Sequence, residues 1–267
     1  MDVLREYSPS AELLSFALEC AAGRKTCSYP LLSGAELEAE IALRAKEGGL
    51  LRIAEAGGRT RGALAFFSMT EDGYAQTTGI FVREGDVPSA RALIEGFAAL
   101  CPGCELTVGL AGENETVSAA LEELGFAICE RCSHLESRGG TCAAASAERI
   151  GRERLGEYLK FHEEHFSDCY WNAARLEACF ENWRVYAAGR PVHSGLFLRE
   201  YEGGAEIFGL AARDVPSARD LISTALAALK GGKVTYLSDA GSAGEAAALD
   251  AGFERLGEYV CWRREDV

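Results

Sequence analysis

The sequence predicts an α/β (α+β) protein made of two tandem units that share one order of helices and strands. The first observation is a nine-residue string, Asp-Val-Pro-Ser-Ala-Arg followed by three more residues, which begins at Asp86 and again at Asp214. Eight of its nine positions are identical, and the copies lie 128 residues apart in a chain of 267, which indicates an internal duplication. The second observation is that helical and strand patterns recur in the same order around both copies. We therefore expect two domains, 1–138 and 139–267, each large enough for its own core.

Both halves show the same elements before the repeated string: two helices, a β-hairpin and one further strand. Apolar spacing of three and four residues predicts the helices, and alternation between turn residues predicts the strands. In the first half these elements are predicted at 11–22, 35–45, 50–56, 62–69 and 75–82. In the second half they are predicted at 147–165, 172–181, 183–188, 192–199 and 205–212.

The repeated string begins a helix in each half. Asp86 and Asp214 are capping-type residues, and Pro88 and Pro216 fit the first helical turn. A strand, a helix that ends on the dipeptide Gly-Phe, and a closing strand follow. They are predicted at 105–110, 115–124 and 127–135, and again at 234–237, 244–251 and 254–262. The segment 137–146, rich in Gly, Ala, Ser and Thr, is the predicted link.

The composition restricts the partners. A formal net charge of −14 disfavours nucleic acid, because proteins that bind phosphate backbones need a basic surface. An anionic cofactor held by backbone amides is compatible with this charge. No segment has the length of a membrane span, and the first residues lack the pattern of a secretory signal. We therefore expect a cytoplasmic protein without nucleic-acid or membrane partners, and the sequence leaves its oligomeric state open.

Two cysteine pairs raise the question of a metal site. Cys-Pro-Gly-Cys at 101–104 and Cys-Glu-Arg-Cys at 129–132 have a spacing that is typical of zinc ligands. The second pair lies in a predicted strand, where residues three apart point to opposite faces, so the alternative is a set of free thiols in the core. His162 and His165 share a helix face but have no third ligand in view. We expect no metal site.

This order of elements, with a closing helix that ends in Leu-Glu-Glu-Leu-Gly-Phe, resembles the GNAT N-acetyltransferase superfamily. The resemblance covers most of both halves, so the chain is similar to a tandem GNAT protein. It implies that each domain has a mixed, mostly antiparallel sheet flanked by helices. It also implies acetyl-CoA as the cosubstrate, with its pyrophosphate held by backbone amides at a helix N-terminus. In the family, the strand before this helix pairs with the pantetheine arm, and a splayed neighbour leaves a slot for the thioester.

The family's pyrophosphate turn has the pattern (Arg/Gln)-x-x-Gly-x-(Gly/Ala). The second half matches it at Arg213 and Ala218, whereas the first half matches only at its alanine. Pro88 and Pro216 stand where the family has glycine, and each proline removes one N–H donor from its turn. The resemblance implies cofactor contacts in the second half at Leu210, Ala211, Ala212, Arg213, Ser217, Ala218 and Arg219.

The catalytic residues also depart from the family. Many GNAT enzymes place a tyrosine one turn before the Gly-Phe as the acid that protonates the leaving thiolate, but Leu121 and Ala248 occupy those positions here. A glutamate in the strand before the pyrophosphate turn often serves as the base, and Glu206 fits that role. The residue aligned with it in the first half is Thr78. The alternative is that Glu206 lies at a strand end and faces solvent.

The candidate acceptor site lies in the helical region of the second half. Residues 161–171 combine aromatic, histidine and carboxylate side chains, and the resemblance implies that this region covers the acceptor. Tyr170 and Trp171 are the candidate walls of the pocket, and Glu164 or Asp168 is the candidate partner of a cationic amine. The alternative is an amphipathic helix whose aromatic side chains lie in the core.

These observations favour an N-acetyltransferase that moves an acetyl group to the amine of a small molecule or an amino-acid-like acceptor. We expect the active site in the C-terminal half and a degenerate partner in the N-terminal half. The alternative is a non-catalytic GNAT-like protein that binds acyl-CoA or serves as a scaffold. A transferase that uses aminoacyl-tRNA is disfavoured by the negative charge.

Overall fold

The computed structural model describes residues 2–29, 32, 34–55, 57–138, 147–201, 203–229 and 231–265. The first half contains, in chain order, β1 (Val3–Arg5), α1 (Ala11–Ala21), α2 (Gly34–Lys46), β2 (Leu50–Ala54), β3 (Thr60–Met69), β4 (Tyr74–Val82), α3 (Val87–Leu100), β5 (Glu105–Ala111), α4 (Glu115–Glu123) and β6 (Ala127–Ser137). The second half contains β7 (Glu148–Arg149), α5 (Leu155–Phe166), α6 (Ala173–Ala178), β8 (Arg184–Ala188), β9 (Ser194–Tyr201), β10 (Gly204–Ala211), α7 (Val215–Leu229), β11 (Lys233–Asp239), α8 (Ala243–Asp250) and β12 (Glu254–Glu265). Most of the predicted link lies outside the described residues.

The recurring order of elements is confirmed, with two exceptions. The prediction of a helix over 147–165 was wrong in its first part, where β7 pairs with β8 and the helix begins only at Leu155. The short strand β1, which pairs with β2, was not predicted. Both strands are very short, and their pairing partners lie far along the chain. A local pattern therefore carries little information about them.

The chain divides into two compact units, Met1–Arg131 with Glu258–Val267, and Cys132–Gly257. We call them the first and the second unit. They differ from a division at residue 138 in their closing strands. Most of β12 belongs to the first unit, and the last six residues of β6 belong to the second.

The first unit has the strand order β1-β2-β3-β4-β5-β12. Adjacent strands in this order are antiparallel, except for β4 and β5, which run parallel. The helices α3 and α4 contribute to the core on one face of the sheet, together with Val260 and Trp262 of β12. The helices α1 and α2 cover the other face. The end of the chain is therefore part of the core of the first unit.

The second unit repeats this arrangement, with the order β6-β11-β10-β9-β8-β7 and one parallel pair, β10 with β11. One face carries the core formed with α7 and α8, and Leu135 of β6 belongs to it. The other face carries an aromatic core formed with α5 and α6. The predicted mixed, mostly antiparallel sheet is thus present in each unit. In the part of the chain that the structure describes, no helix is long and apolar enough to cross a membrane.

The assignment of β12 to the first unit and of the end of β6 to the second gives a prediction that can be tested in both units. Replacing Trp262 by alanine empties a buried site in the core of the first unit, at an expected cost of about 3–5 kcal/mol. Hydrogen exchange should then lose protection in β5, the antiparallel partner of β12, and not in β11. Leu135→Ala is the matched control, because it should loosen β11 and leave β5 protected. If each substitution lowered protection only in the half of the sequence that carries it, the assignment of β12 to the first unit and of the end of β6 to the second would be wrong.

Candidate functional site

Each unit contains a pair of parallel strands that separate. In the first unit, β4 and β5 pair only from Tyr74 to Gln76 on the β4 side, although β4 continues to Val82. In the second unit, β10 and β11 pair only from Gly204 to Ile207, although β10 continues to Ala211. The strand pairs therefore open at their carboxyl ends. This is where a ligand can pair with an exposed strand edge, as expected for the thioester slot.

A β-bulge marks the same place in both units and corrects one detail of the sequence alignment. The register skips Thr78 in β4 and Phe208 in β10, so these two residues correspond. The residue two positions earlier is Gln76 in the first unit and Glu206 in the second. Gln76, and not Thr78, is therefore the counterpart of Glu206. Its neutral amide accepts a hydrogen bond from the hydroxyl of Tyr74 at 2.7 Å, and an amide cannot act as a base.

The slot of the first unit is filled by its own chain. The Ser28 hydroxyl accepts a hydrogen bond from the Ile80 amide of β4 at 3.0 Å, and the Tyr29 amide donates to the Gly109 carbonyl of β5 at 2.9 Å. Ser28 also forms an isolated antiparallel bridge with Leu110, and it is only 5% exposed. The segment after α1 thus supplies the partners that the separated strands need.

The helix turn of the first unit is closed as well. The Asp86 carboxylate accepts hydrogen bonds from the amide and the hydroxyl of Ser89. The guanidinium of Arg61 binds the same carboxylate through two bonds of 2.9 and 3.0 Å. The Gly85 amide donates to the Thr116 hydroxyl at 2.8 Å. With Pro88 lacking an N–H, the donors that a pyrophosphate would need are largely committed within the protein.

The corresponding turn of the second unit is more accessible. Asp214 caps α7 through the Ser217 amide at 2.8 Å, and within the described ranges its ion-pair partner is the neighbouring Arg213 at 3.4 Å, whose side chain is 64% exposed. The Ala218 amide donates within the helix. Among the described residues, the amides of 213–215 donate to no acceptor, so they are the donors that an anion would meet. The capping role expected for Asp86 and Asp214 is confirmed.

The predicted cofactor residues divide into two groups. Leu210, Ala211 and Ala212 are half-buried along the end of β10, and Arg213 and Arg219 are exposed beside the turn. By contrast, the Ala218 side chain is fully buried in the core, and the Ser217 amide is already used by the cap. Among the described residues, no segment adds backbone hydrogen bonds or an isolated bridge between the separated ends of β10 and β11, as the segment of Ser28 and Tyr29 does in the first unit.

Glu206 lies at the point where β10 and β11 begin to separate. It pairs with Arg199 of β9 on one side and with Thr235 of β11 on the other. Its neighbours Ala205 and Ile207 belong to the core under α7 and α8, so Glu206 points to the opposite face, the one covered by α5 and α6. Its side chain is half-buried, neither within the core nor at an exposed strand end.

The structure brings together only some residues of the candidate acceptor segment. Trp171 packs edge-on against Trp183 at 4.9 Å, and Trp183 contacts Phe208 at 5.1 Å, which leads the aromatic side chains to the bulge beside Glu206. Tyr170 is already covered by the guanidinium of Arg175, 4.2 Å from its ring centre. Trp183 and Phe208 were missed by the sequence reasoning. The β-bulge that orients Phe208 cannot be seen in the sequence. Trp183 could have been found, because a tryptophan directly before a predicted hairpin is a visible signal.

The predicted carboxylates and histidines do not form one site. Glu164 and Asp168 are exposed. His162 is fully buried, its ring nitrogens bonded to the Tyr158 hydroxyl and the Trp171 carbonyl, and burial lowers the pKa of its imidazole. His165 is exposed and stacks on Phe161 at 4.4 Å. Among the described residues, no three His, Cys, Asp or Glu side chains are grouped so as to hold a metal ion.

The four cysteines of the two pairs differ in their burial. Cys101 and Cys104 lie in the apolar core of the first unit. Cys129 is exposed and Cys132 is buried, as expected for residues three apart in a strand. In the described part of the chain, these four cysteines form no disulfide bond.

Comparison with solved structures identifies the fold. A GCN5-related N-acetyltransferase from Sphaerobacter thermophilus is similar over 99% of this chain and 96% of its own, with a TM-score of 0.67 and 11% identity. A tandem GNAT protein from the clavulanic acid biosynthesis pathway is similar over 100% of this chain and 98% of its own, with a TM-score of 0.56 and 13% identity. No protein-family model and no curated protein sequence matches the chain. The chain has the tandem GNAT fold.

The closed turn of the first unit gives a stability prediction. Replacing Asp86 by alanine should lower the free energy of unfolding by about 1–2 kcal/mol at pH 7, because it removes a helix cap. Hydrogen bonds from Arg61 and Ser89 hold the pKa of this carboxyl below its ordinary 3.8, so its contribution is present above that pH and is lost as the pH falls. The difference between parent and variant in urea unfolding should therefore shrink at pH 3. A difference independent of pH would contradict the ion pair.

Proposed function

We propose that this protein is an N-acetyltransferase that takes acetyl-CoA as its donor and works in the second unit. The observation that carries the proposal is the contrast between the two slots. In the first unit Ser28 and Tyr29 bond to both separated strands, whereas in the second unit the described chain leaves the end of β10 open. A duplicated fold that fills one slot with its own chain keeps one site for a ligand.

The second unit offers acetyl-CoA two kinds of contact. The open edge of β10 after Ile207 provides backbone groups for the amides of the pantetheine arm. The amides of 213–215 at the start of α7 provide donors for the pyrophosphate, and the exposed Arg213 and Arg219 provide positive charge. This set of backbone donors explains how an acidic protein can hold an anionic cosubstrate.

The reaction is the attack of a neutral amine on the thioester carbonyl. In our proposal the Glu206 carboxylate takes the proton that the amine must lose, directly or through one water molecule. A C–N bond forms and the C–S bond breaks, so that CoA leaves as a thiolate that needs a proton. Glu206 is half-buried beside the opening of the strands, as this role requires.

The acceptor enters from the face covered by α5 and α6. Trp171, Trp183 and Phe208 line this face next to Glu206 with their rings edge to face. Such a wall favours a small amine that carries an apolar or aromatic group. Arg199, directly opposite Glu206 on β9, adds a positive charge that suits an acceptor with a carboxylate. We therefore favour an amino-acid-like acceptor.

A second candidate function is acyl-CoA binding without catalysis. Two observations favour it: Pro216 removes a donor from the turn, and the buried Ala248 stands where the family has its tyrosine acid. The two functions differ in turnover, since both require CoA to bind to the second unit.

Calorimetry with acetyl-CoA tests the site and its location. Pro216→Gly restores one N–H to the turn and should tighten binding about tenfold, the value of one added hydrogen bond to a charged group. Pro88→Gly makes the same change in the first unit and should leave the affinity unchanged, because that slot is filled. A tighter complex for Pro88→Gly alone, or no binding by any variant, would overturn the assignment.

Turnover with a panel of small amines distinguishes the enzyme from the binding protein. Glu206→Gln should lower kcat by about 10²–10⁴-fold and leave the Kd of acetyl-CoA unchanged, because the base acts on the acceptor and not on the cosubstrate. Gln76→Ala is the control at the matched position of the first unit and should retain full activity. Binding without turnover by the parent protein would favour the second candidate.

A further inference from the structure

The strand next to the open slot carries polar side chains at core positions. In the first unit, the β5 residues that face α3 and α4 are Leu106, Val108 and Leu110, all completely buried. At the matched positions of β11 the second unit has Val234, Tyr236 and Ser238, which are at most 4% exposed. Burying hydroxyl groups in an apolar core costs free energy unless they are hydrogen-bonded. Two such replacements side by side therefore indicate a function.

Small residues of α8 make room for Tyr236. A Cβ atom placed on Gly244 would lie 2.4 Å from the Tyr236 hydroxyl oxygen, so only glycine fits there with the tyrosine in place. Counted from the N-cap residues Asn114 and Ser242, the first unit has Thr116 at this position, and its hydroxyl instead binds the turn before α3. Ala248, where the family has its tyrosine acid, is buried in the same core as Tyr236. The second unit thus has a tyrosine on the strand that packs in the same core as the helix position where one is missing.

The Tyr236 hydroxyl lies where the strands separate. Tyr236 is the last residue of β11 that pairs with β10, opposite Ile207. The Cδ2 atom of Leu210, in the unpaired end of β10, lies 3.4 Å from the Cβ position on Gly244 that the hydroxyl also approaches. Leu210, in the unpaired end of β10, and the Tyr236 hydroxyl therefore both lie beside Gly244.

A chain of hydroxyl groups connects Tyr236 to the surface. The Tyr236 hydroxyl oxygen and the Ser238 Oγ atom both lie beside the Cβ position on Gly244, and the Oγ atoms of Ser238 and Ser242 are 3.0 Å apart. Ser242 caps α8 and is half-buried. Glu245 fixes this turn by accepting the Gly241 amide and binding the guanidinium of Arg255. Such a row of hydroxyl groups can pass a proton between a buried group and water.

We propose that Tyr236 protonates the leaving thiolate of CoA and is reprotonated through Ser238 and Ser242. This proposal rests on the proposed function of the second unit. As the C–S bond breaks, the sulfur takes the phenolic proton. The phenolate then takes a proton from Ser238, which takes one from Ser242, and Ser242 regains its proton from solvent. The proton lost by the amine leaves through Glu206, on the other face of the sheet.

The surroundings of Tyr236 keep it in its protonated form. Burial, together with the nearby Asp239, Cys132 and Glu245, raises the pKa of its phenol to about 12, although Ser238 acts in the opposite direction. The phenol is therefore a proton donor at neutral pH and cannot compete with Glu206 as the base.

The test is the ionisation of CoA bound to the intact protein, measured by the ultraviolet absorbance of the thiolate as the pH is raised. A phenol that donates to the sulfur stabilises the thiolate, so Tyr236→Phe should lower the ionisation constant of the bound thiol about tenfold. The same variant should lower kcat about 100-fold and leave the Kd of CoA unchanged. Ser238→Ala should lower kcat less, because it breaks only the proton path.

Tyr186→Phe is the matched control, since Tyr186 is a buried tyrosine of the same core that lies on β8, away from the slot. It should change neither the thiol ionisation nor kcat. If CoA binds to Tyr236→Phe and its thiol ionises as in the parent protein, the role of Tyr236 is overturned and the proposed function stands. If CoA does not bind to the parent protein, the proposed function fails, and this proposal with it.

Discussion

In each unit two parallel strands separate after a few paired residues, and this separation constrains the segments around them. Backbone groups along separated strands need other hydrogen-bond partners, and burying them without partners is costly. The first unit supplies the partners from its own chain, through Ser28 and Tyr29. The second unit leaves the end of β10 without such an insertion among the described residues. The same opening is thus a structural joint in one copy and a candidate binding site in the other.

The helix that follows each opening obeys the same logic. Both copies of the repeated string place an aspartate at the N-terminus of a helix, where its carboxylate satisfies the serine amide of the first turn. In the first unit Arg61 forms an ion pair with the carboxylate, and the Thr116 hydroxyl accepts a hydrogen bond from another amide of the turn. Few donors of this helix terminus therefore remain to bind an anion. In the second unit the aspartate lies in a more exposed turn, and the preceding amides are available. The string therefore serves helix initiation in both copies and is compatible with anion binding in only one.

The two faces of the second sheet divide the proposed chemistry. Glu206, with the aromatic side chains of Trp183 and Phe208, lies on the face of α5 and α6, where the acceptor amine would lose its proton. Tyr236 lies on the face of α7 and α8, where the leaving sulfur would gain one. The two faces of the sheet meet where β10 and β11 separate, beyond Ile207 and Tyr236. In this proposal Tyr236 on the strand acts in place of a tyrosine at position 248 of the helix, and Gly244 leaves room for its hydroxyl.

The duplication, the order of most elements and the aspartate caps could be predicted from the sequence. So could the departure of both turns from the GNAT pyrophosphate pattern. These features are local, because a cap, a proline or an amphipathic helix depends on residues within one or two turns. Only the tertiary structure decided which strand closes each unit, what fills each slot and which residue of the first unit matches Glu206. Those features depend on pairing between distant segments. A single bulge residue shifts the register from Thr78 to Gln76, and the insertion of Ser28 needs two strands about fifty and eighty residues further along the chain, so that no local pattern could reveal either.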